Sequence, residues 1–402
     1  MLFDRPMGIA TTRRRRVLAM CSALVALVAL AAVRLPAQTA GVSAAAASTI
    51  PDRLDDQTFW SLVSSISEPG GSFRSDNFVS NELGYQWVIP QLLRTTRPGG
   101  VYLGVGPDQN FTYIVALQPR ISFIFDIRRQ NMLTHLMYKA LIESSPSRAA
   151  FLSQLFARPR PAGLDSTSTP EALLDAYEQV PADSTLYRTT LAAIDDRLTS
   201  RHGFQLSNDD LATIAYVYGA FVAAGPDITY NFAQRGGYGG YGGYGRGRMP
   251  SYAQLMVTTD SERVHRSYLA TETNYDALRA AELDNRIVPV VGDFAGPKAI
   301  RAVADYLTAH RATVTAFYLS NVEQYLFQQG DDWRRFYTNA STLPIDSTST
   351  FIRSVFNGLG YYRRQSPGLR GQQLLASMMQ QLAAFKAGTL ANYYDVIESS
   401  AP

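Results

Sequence analysis

The segment from Pro98 to Asn131, PGGVYLGVGPDQNFTYIVALQPRISFIFDIRRQN, constrains the fold more than any other part of the chain. Pro98-Gly99-Gly100 is a turn signal, and VYLGV is a short run of the kind that a buried parallel strand requires. It feeds Gly104-Val105-Gly106-Pro107-Asp108, with Asp108 placed as a helix N-cap. Phe111, Ile114 and Val115 then recur at helical spacing until Pro119 ends the helix, and a second apolar run, ISFIF, ends at Asp126. The unit reads strand, glycine turn, helix, strand, acid. Its mechanical sense is that glycines let a backbone approach a ligand at a helix N-terminus, while a carboxylate at the tip of the next strand can accept both hydroxyls of a ribose.

The alternation returns near the C-terminal third. RIVPVVGD, from Arg286 to Asp293, predicts a strand ending in an acid, followed by a helix with Ile300, Val303, Ala304 and Leu307 on one face and Pro297 in its first turn. ATVTAFYLSNVEQYL then predicts a strand running into Asn321, Glu323 and Tyr325. Gly104, Asp126, Asp293 and Asn321 would all stand at strand ends, on one crevice, where open α/β sheets hold their ligands. Between these halves, residues 146–283 read as helices broken by Pro, Gly, Ser and Thr, with a Gly-Tyr repeat at 235–250 that predicts a flexible loop. The final stretch, GQQLLASMMQQLAAFKAGTLANYYDVIE, reads as helical. The expected fold is α/β and Rossmann-like, a mostly parallel sheet flanked by helices and split by a large helical insertion, with core halves at 48–145 and 284–402.

The N-terminal 47 residues read as an address. Arg13 to Arg16 precede an apolar run from Val17 to Val33 and a tail of small residues, which is the tripartite pattern of an export signal. As a helix the run would span about 25 Å, short of a hydrocarbon core, which favours cleavage over anchoring and leaves both open. The expectation is a periplasmic or extracellular protein that meets a membrane through this segment alone. The single cysteine, Cys21, belongs to the segment as well. Beyond it there is no thiol for a disulfide, a zinc-thiolate site or a cysteine nucleophile. The 37 basic and 34 acidic residues nearly balance once the arginine run is set aside, which argues against a nucleic-acid partner.

With these motifs the chain resembles the class I S-adenosylmethionine-dependent methyltransferase fold. The resemblance is carried by Gly99 to Asn131 and Asn285 to Tyr325. It implies that Gly104 and Gly106, with Asp108 and Asn110 beside them, receive the methionine part of S-adenosylmethionine. It also implies that Asp126 holds the ribose, Asp293 contacts the adenine, and Asn321 and Glu323 face the methyl group and substrate. Tyr102 stands where the family carries an acid, Asp108 where it carries a third glycine, and Pro289 falls inside the third strand.

Two functions stay open on these residues. One is methyl transfer from an adenosyl cofactor to an unknown substrate. The other is non-catalytic binding of a small polar or anionic ligand in the same crevice, which suits an exported protein because adenosyl cofactors are kept in the cytoplasm. Glu82 and Gln86, four apart on an expected helix over Asp76 to Leu93, and Tyr85 between them are candidates for substrate contact. Arg128 and Arg129 could grip a carboxylate or phosphate, or pair with a neighbouring acid. His135, His202, His265 and His310 have no metal-like spacing, so no metal is expected.

Overall fold

The structure is a computed structural model that describes residues 48–231, 249–356 and 371–401. The export pattern of residues 1–47 lies outside the described residues, as does most of the Gly-Tyr loop. The chain runs through helix α1 (Asp56–Ile66), α2 (Ile89–Thr95), strand β1 (Val101–Val105), α3 (Gln109–Leu117), β2 (Ile121–Asp126) and α4 (Arg129–Ser144). The insertion follows as α5 (Arg148–Leu155), α6 (Pro170–Glu178), α7 (Ser184–Asp196), α8 (Asn208–Ala224), α9 (Tyr252–Met256) and α10 (Glu272–Leu283). The second half is β3 (Ile287–Val291), α11 (Ala299–Ala309), β4 (Val314–Ser320), α12 (Val322–Leu326), α13 (Asp332–Ala340), β5 (Ile345–Phe356), β6 (Gly371–Ser377), α14 (Met378–Lys386) and α15 (Tyr393–Glu398).

The strands form one sheet in the order β3-β2-β1-β4-β5-β6. All neighbours are parallel except β6, which is antiparallel to β5. This is the doubly wound Rossmann-like arrangement, and its order reverses between β1 and β4, where α/β proteins open a crevice beyond the strand ends. Helices cover the sheet, so β2 is buried along its whole length and must be apolar without alternation. On α11 the expected face is the buried one: Ile300, Val303 and Leu307 are inside, each worth roughly 1.5–3 kcal/mol relative to exposure. Pro297 falls just before the N-cap, Lys298, and not in the first turn. No helix among the described residues is long and apolar enough to cross a membrane.

Pro289 is tolerated because β3 is an edge strand. Gly292 donates its N–H to Asp126 O on β2, whereas Val291 N–H faces the other way, to Ser67 Oγ, and Val291 O accepts from Glu68 N. Residues alternate along a strand, so Pro289 shares the outward set with Val291, and no ladder bond to β2 is lost.

Two helical expectations are corrected. Residues 371–377, GQQLLAS, are strand β6, paired with β5 from Gly371 opposite Phe356 to Ser377 opposite Thr350. Gln, Leu and Ala prefer helix, but pairing with the edge of the long β5 overrides that weak preference. The stretch expected as a helix over Asp76 to Leu93 is a chain of turns with helix only from Ile89, its bonds running from Tyr85 N to Glu82 O, Trp87 N to Gly84 O and Ile89 N to Gln86 O. A longer helix would bury Gly84 in its middle and deny Gln86 O its donor at Pro90. Starting at Ile89 puts Pro90 in the first turn, where its missing N–H costs nothing. Glu82 and Gln86 therefore do not share a helical face.

Candidate functional site

The glycine turn after β1 is filled by the protein's own side chains. Gly106 has φ of +82°, a conformation glycine adopts freely, and its N–H binds Phe125 O on β2. Asn110 Nδ2 reaches the carbonyls of Val105, Gly106 and Pro107 at 3.0, 3.2 and 2.7 Å, and Asn110 Oδ1 accepts from Tyr102 Oη at 2.8 Å. Asn131 Nδ2 and His135 Nε2 also meet Gly106 O, at 3.2 and 2.9 Å. Burial pushes His135 down to about 4, so the ring is neutral and carries its proton on Nε2. A Cβ placed on Gly104 would stand 1.9 Å from Asn110 Oδ1. The space that glycine leaves is thus taken chiefly by Asn110, with the Tyr102 ring 2.8 Å from the same point. Gly104→Ala is expected to cost about 1–3 kcal/mol as overpacking. Thermal melts of that variant, with and without Asn110→Ala to relieve the clash, check it: equal losses in both backgrounds would contradict the assignment.

Asp108 stands at the N-cap position without capping the helix. Its Oδ2 instead accepts from Tyr268 Oη at 2.9 Å, and Tyr268 meets Tyr252 Oη at 2.7 Å, both on the insertion. Burial pushes Asp108 up to about 7.

Asp126 ends β2 as expected, and both its oxygens are occupied. Arg128 donates Nε to Oδ1 at 2.9 Å and Nη2 to Oδ2 at 2.8 Å, while the Arg128 backbone N–H adds a third bond to Oδ1. Arg128 Nη1 is spent on the carbonyls of Ser75 and Asp76. Arg129 pairs bidentately with Asp210, at 2.6 and 2.8 Å. Both arginines therefore meet acids of the chain itself, and they border an open cavity of 370 Å³ whose other wall is the loop Gly71 to Asp76.

At the end of β3 the loop beyond α1 occupies the ground. Glu68 Oε1 accepts from the backbone N–H groups of Lys298 and Ala299, and Oε2 from that of Asp293. Asp293 itself is half-buried and accepts from Ala295 N–H at 2.9 Å; burial raises its pKa above the usual carboxylate value.

At the end of β4, Ser320 adopts φ of +50°, an uncommon conformation for a residue with a side chain, where the pairing with β5 shifts register. Asn321 follows as the residue before α12. Glu323 turns away from the strand ends into the core, where it accepts from Arg353 Nε at 2.6 Å, Arg353 Nη2 at 3.2 Å and Tyr337 Oη at 2.5 Å.

Glu82 lies at the strand ends where the strand order reverses. Its carboxyl accepts from Tyr318 Oη at 2.5 Å, from Ser320 Oγ and Ser354 Oγ, and from Gln373 Nε2 at 3.2 Å, so it touches the ends of β4 and β5 and the start of β6. Tyr318 Oη also lies 3.4 Å from Gln109 Nε2, which reaches Val105 O at the end of β1. The cluster therefore spans the point where the strand order reverses. None of these partners carries a positive charge, and burial raises the Glu82 pKa. A cavity of 160 Å³ opens beside it. Tyr85 and Gln86 bind elsewhere: Tyr85 Oη donates to Leu255 O, Gln86 Nε2 to Thr258 Oγ1, and Gln86 Oε1 accepts from Arg266 N–H, which ties the turn to the insertion.

Among the described residues, one cavity lies at the strand ends beside Arg128 and another beside Glu82. Glu82, Gly104, Asp126, Asp293 and Asn321 all lie along this edge, whereas Glu323, Tyr85 and Gln86 serve the core. Tyr318, Ser320, Ser354 and Gln373 around Glu82, and Glu68 at the end of β3, are not marked in the sequence. Their spacing carries no motif, since four separate segments bring them together.

A family model described as "Domain of unknown function (DUF7790)" matches residues 77–207 and 228–395. No curated protein matches the chain. The matched span contains every residue that lines the cavity beside Glu82 and leaves the loop Gly71 to Asp76 of the larger cavity outside it.

Proposed function

Starting from the chain's membership of the DUF7790 family, which is defined as a domain of unknown function, we propose that this protein binds a small polar ligand on a methyltransferase-like scaffold without using an adenosyl cofactor. The observation that carries this is the closure of Asp126. A ribose held through both hydroxyls needs a free lone pair on each carboxylate oxygen, and here, in a buried site, Oδ1 already accepts two bonds and Oδ2 one, from a bidentate guanidinium and a backbone N–H. The plug at Gly104 acts in the same direction, because Asn110 takes the volume through which a cofactor would approach the turn. The export pattern at the N-terminus agrees with it, since adenosylmethionine is scarce outside the cytoplasm.

Methyl transfer is the second reading, favoured by the doubly wound strand order and by the strained Ser320-Asn321 turn at the end of β4. It would require Arg128 to leave Asp126 and would leave Asn321, not the core-bound Glu323, to orient a methyl acceptor. One titration separates the two. On the binding reading, calorimetry with S-adenosylmethionine shows no heat at about 1 mM, a weak-binding threshold. Saturable heat that Asp126→Asn abolishes would establish the cofactor site and refute the proposal.

A further inference from the structure

The protons around Glu82 do not balance if its carboxyl is ionised. Ser354 has one hydroxyl proton and two acceptors in reach, a Glu82 oxygen and Gln373 Oε1 at 2.7 Å. Rotating the Gln373 amide moves the deficit without removing it. Nε2 then donates to Ser354, and the amide oxygen stands 3.2 Å from Glu82 Oε2 with nothing between them. A proton on Glu82 completes the network in either orientation. In the first, Glu82 donates to Ser354 Oγ and Ser354 donates to Gln373 Oε1, while Tyr318 and Ser320 still donate to the carboxyl. A neutral carboxylic acid that donates a hydrogen bond is a known use of a buried acid in an apolar site.

That protonation decides the character of the adjoining cavity. Among the described residues that line it, Glu82 is the one ionisable side chain, so with Glu82 neutral those residues carry no charge. The polar lining consists of the carboxamides of Asn81, Gln254 and Gln373, the Ser354 hydroxyl and the Glu82 carboxyl, with Leu83 and Phe356 supplying apolar surface. Carboxamides both donate and accept, which is what a hydroxyl group needs from a partner. Among the described lining residues an anion would find no cation, and an ammonium would find no anion.

We propose that this cavity binds a neutral polyhydroxylated molecule, a sugar or cyclic polyol, through the carboxamides of Asn81, Gln254 and Gln373, with the closed Glu82–Ser354 network beneath them. The inference deepens the binding reading above and rests on it. Vicinal hydroxyls would pair with the carboxamides, and the C–H face of the ring would lie against Leu83 and Phe356.

The test uses the purified protein and a defined panel: glucose, galactose, ribose and myo-inositol against glycine, putrescine, acetate and phosphate. Calorimetry at ligand concentrations up to about 10 mM should give saturable binding for at least one neutral member and none for the charged ones. Gln373→Leu should weaken that binding at least about tenfold. Silence from the whole neutral panel, binding of charged members alone, or affinity indifferent to Gln373→Leu would each overturn the proposal. A silent polyol panel with no response to S-adenosylmethionine leaves the binding reading standing and removes only this ligand class. Heat from S-adenosylmethionine that depends on Asp126 removes the reading itself.

Discussion

Replacing Arg353 by leucine is expected to lower the stability of the protein by about 3–5 kcal/mol, the usual consequence of stranding a buried charge. Arg353 and Glu323 are both essentially without solvent contact. Removing the guanidinium leaves Glu323 with Tyr337 as its remaining partner, and it also strips Gln381 Oε1 and Ser400 Oγ of their bonds to Arg353. Glu323→Leu should be about as harmful, because the guanidinium then loses its anion. The double variant, Glu323→Leu with Arg353→Leu, should recover part of the loss, since two apolar side chains of similar size can replace a buried pair without leaving a charge behind. Urea unfolding midpoints of the three variants measure this directly. Single variants within about 1 kcal/mol of the parent would place Glu323 outside the core and restore it as a candidate at the strand ends.

The second large effect is on pH. Burial raises Asp108 from 3.8 to about 7 and Glu282 from 4.5 to about 8, and it raises Glu82 as well. Lys139 lies 2.8 Å from Glu143 and 3.9 Å from Glu282, so the ammonium serves Glu143 and Glu282 keeps its proton. Between the unfolded and folded pKa of such an acid, the folded chain binds a proton that the unfolded chain has lost, so stability falls as pH rises. His202 adds to the decline: burial opposes its charge, but the hydrogen bonds to Glu143 and Asp56 prevail and raise its pKa. Its contribution is complete below the unfolded value near 6.5 and is lost as pH climbs through the folded one. Opposing groups finish lower on the scale. His135, held down at about 4, favours the folded state increasingly only up to 6.5, and the contributions of Glu143 and Asp210, both lowered to about 2, are complete above their unfolded values.

Above pH 6.5 these groups therefore act in one direction. Stability should drop between about pH 6.5 and 8 by roughly 3 kcal/mol, taking about 1.4 kcal/mol per pH unit for each carboxyl still protonated in the fold. Melting temperatures across that window check the sign. Glu282→Gln should flatten the slope, and a stability that rises toward pH 8 would contradict the protonation assigned to these acids.

Much of the scaffold is legible in the sequence because it depends on local signals. VYLGV, ISFIF and ATVTAFYLS are apolar runs too short for helices, and each becomes a parallel strand buried on both faces. The β6 segment misleads because its residues prefer helix locally, while a partner strand far away in the sheet contributes more than that preference. The turns around Glu82 mislead in a related way, since the spacing of Glu82 and Gln86 fits a helix that Gly84 and Pro90 do not permit.

Site residues follow the same division. Gly104, Asp126 and Asn321 are located correctly at strand ends, because a strand end is a local event. Their chemical availability is not local. Asp126 is closed by Arg128, whose remaining donors are fixed by Ser75 and Asp76 about fifty residues earlier, and Gly104 is closed by Asn110 under Tyr102. The sequence by itself determined the alternation of strands and helices, the position of the insertion and the edge where polar groups gather, since hydrophobic period and turn chemistry are written in neighbouring residues. Tertiary structure alone decided which of those groups are spent on one another and which face a cavity. Hydrogen bonds and ion pairs join whatever the fold brings within about 3 Å, and for Glu82 that meant Tyr318, Ser320, Ser354 and Gln373, residues more than two hundred positions away.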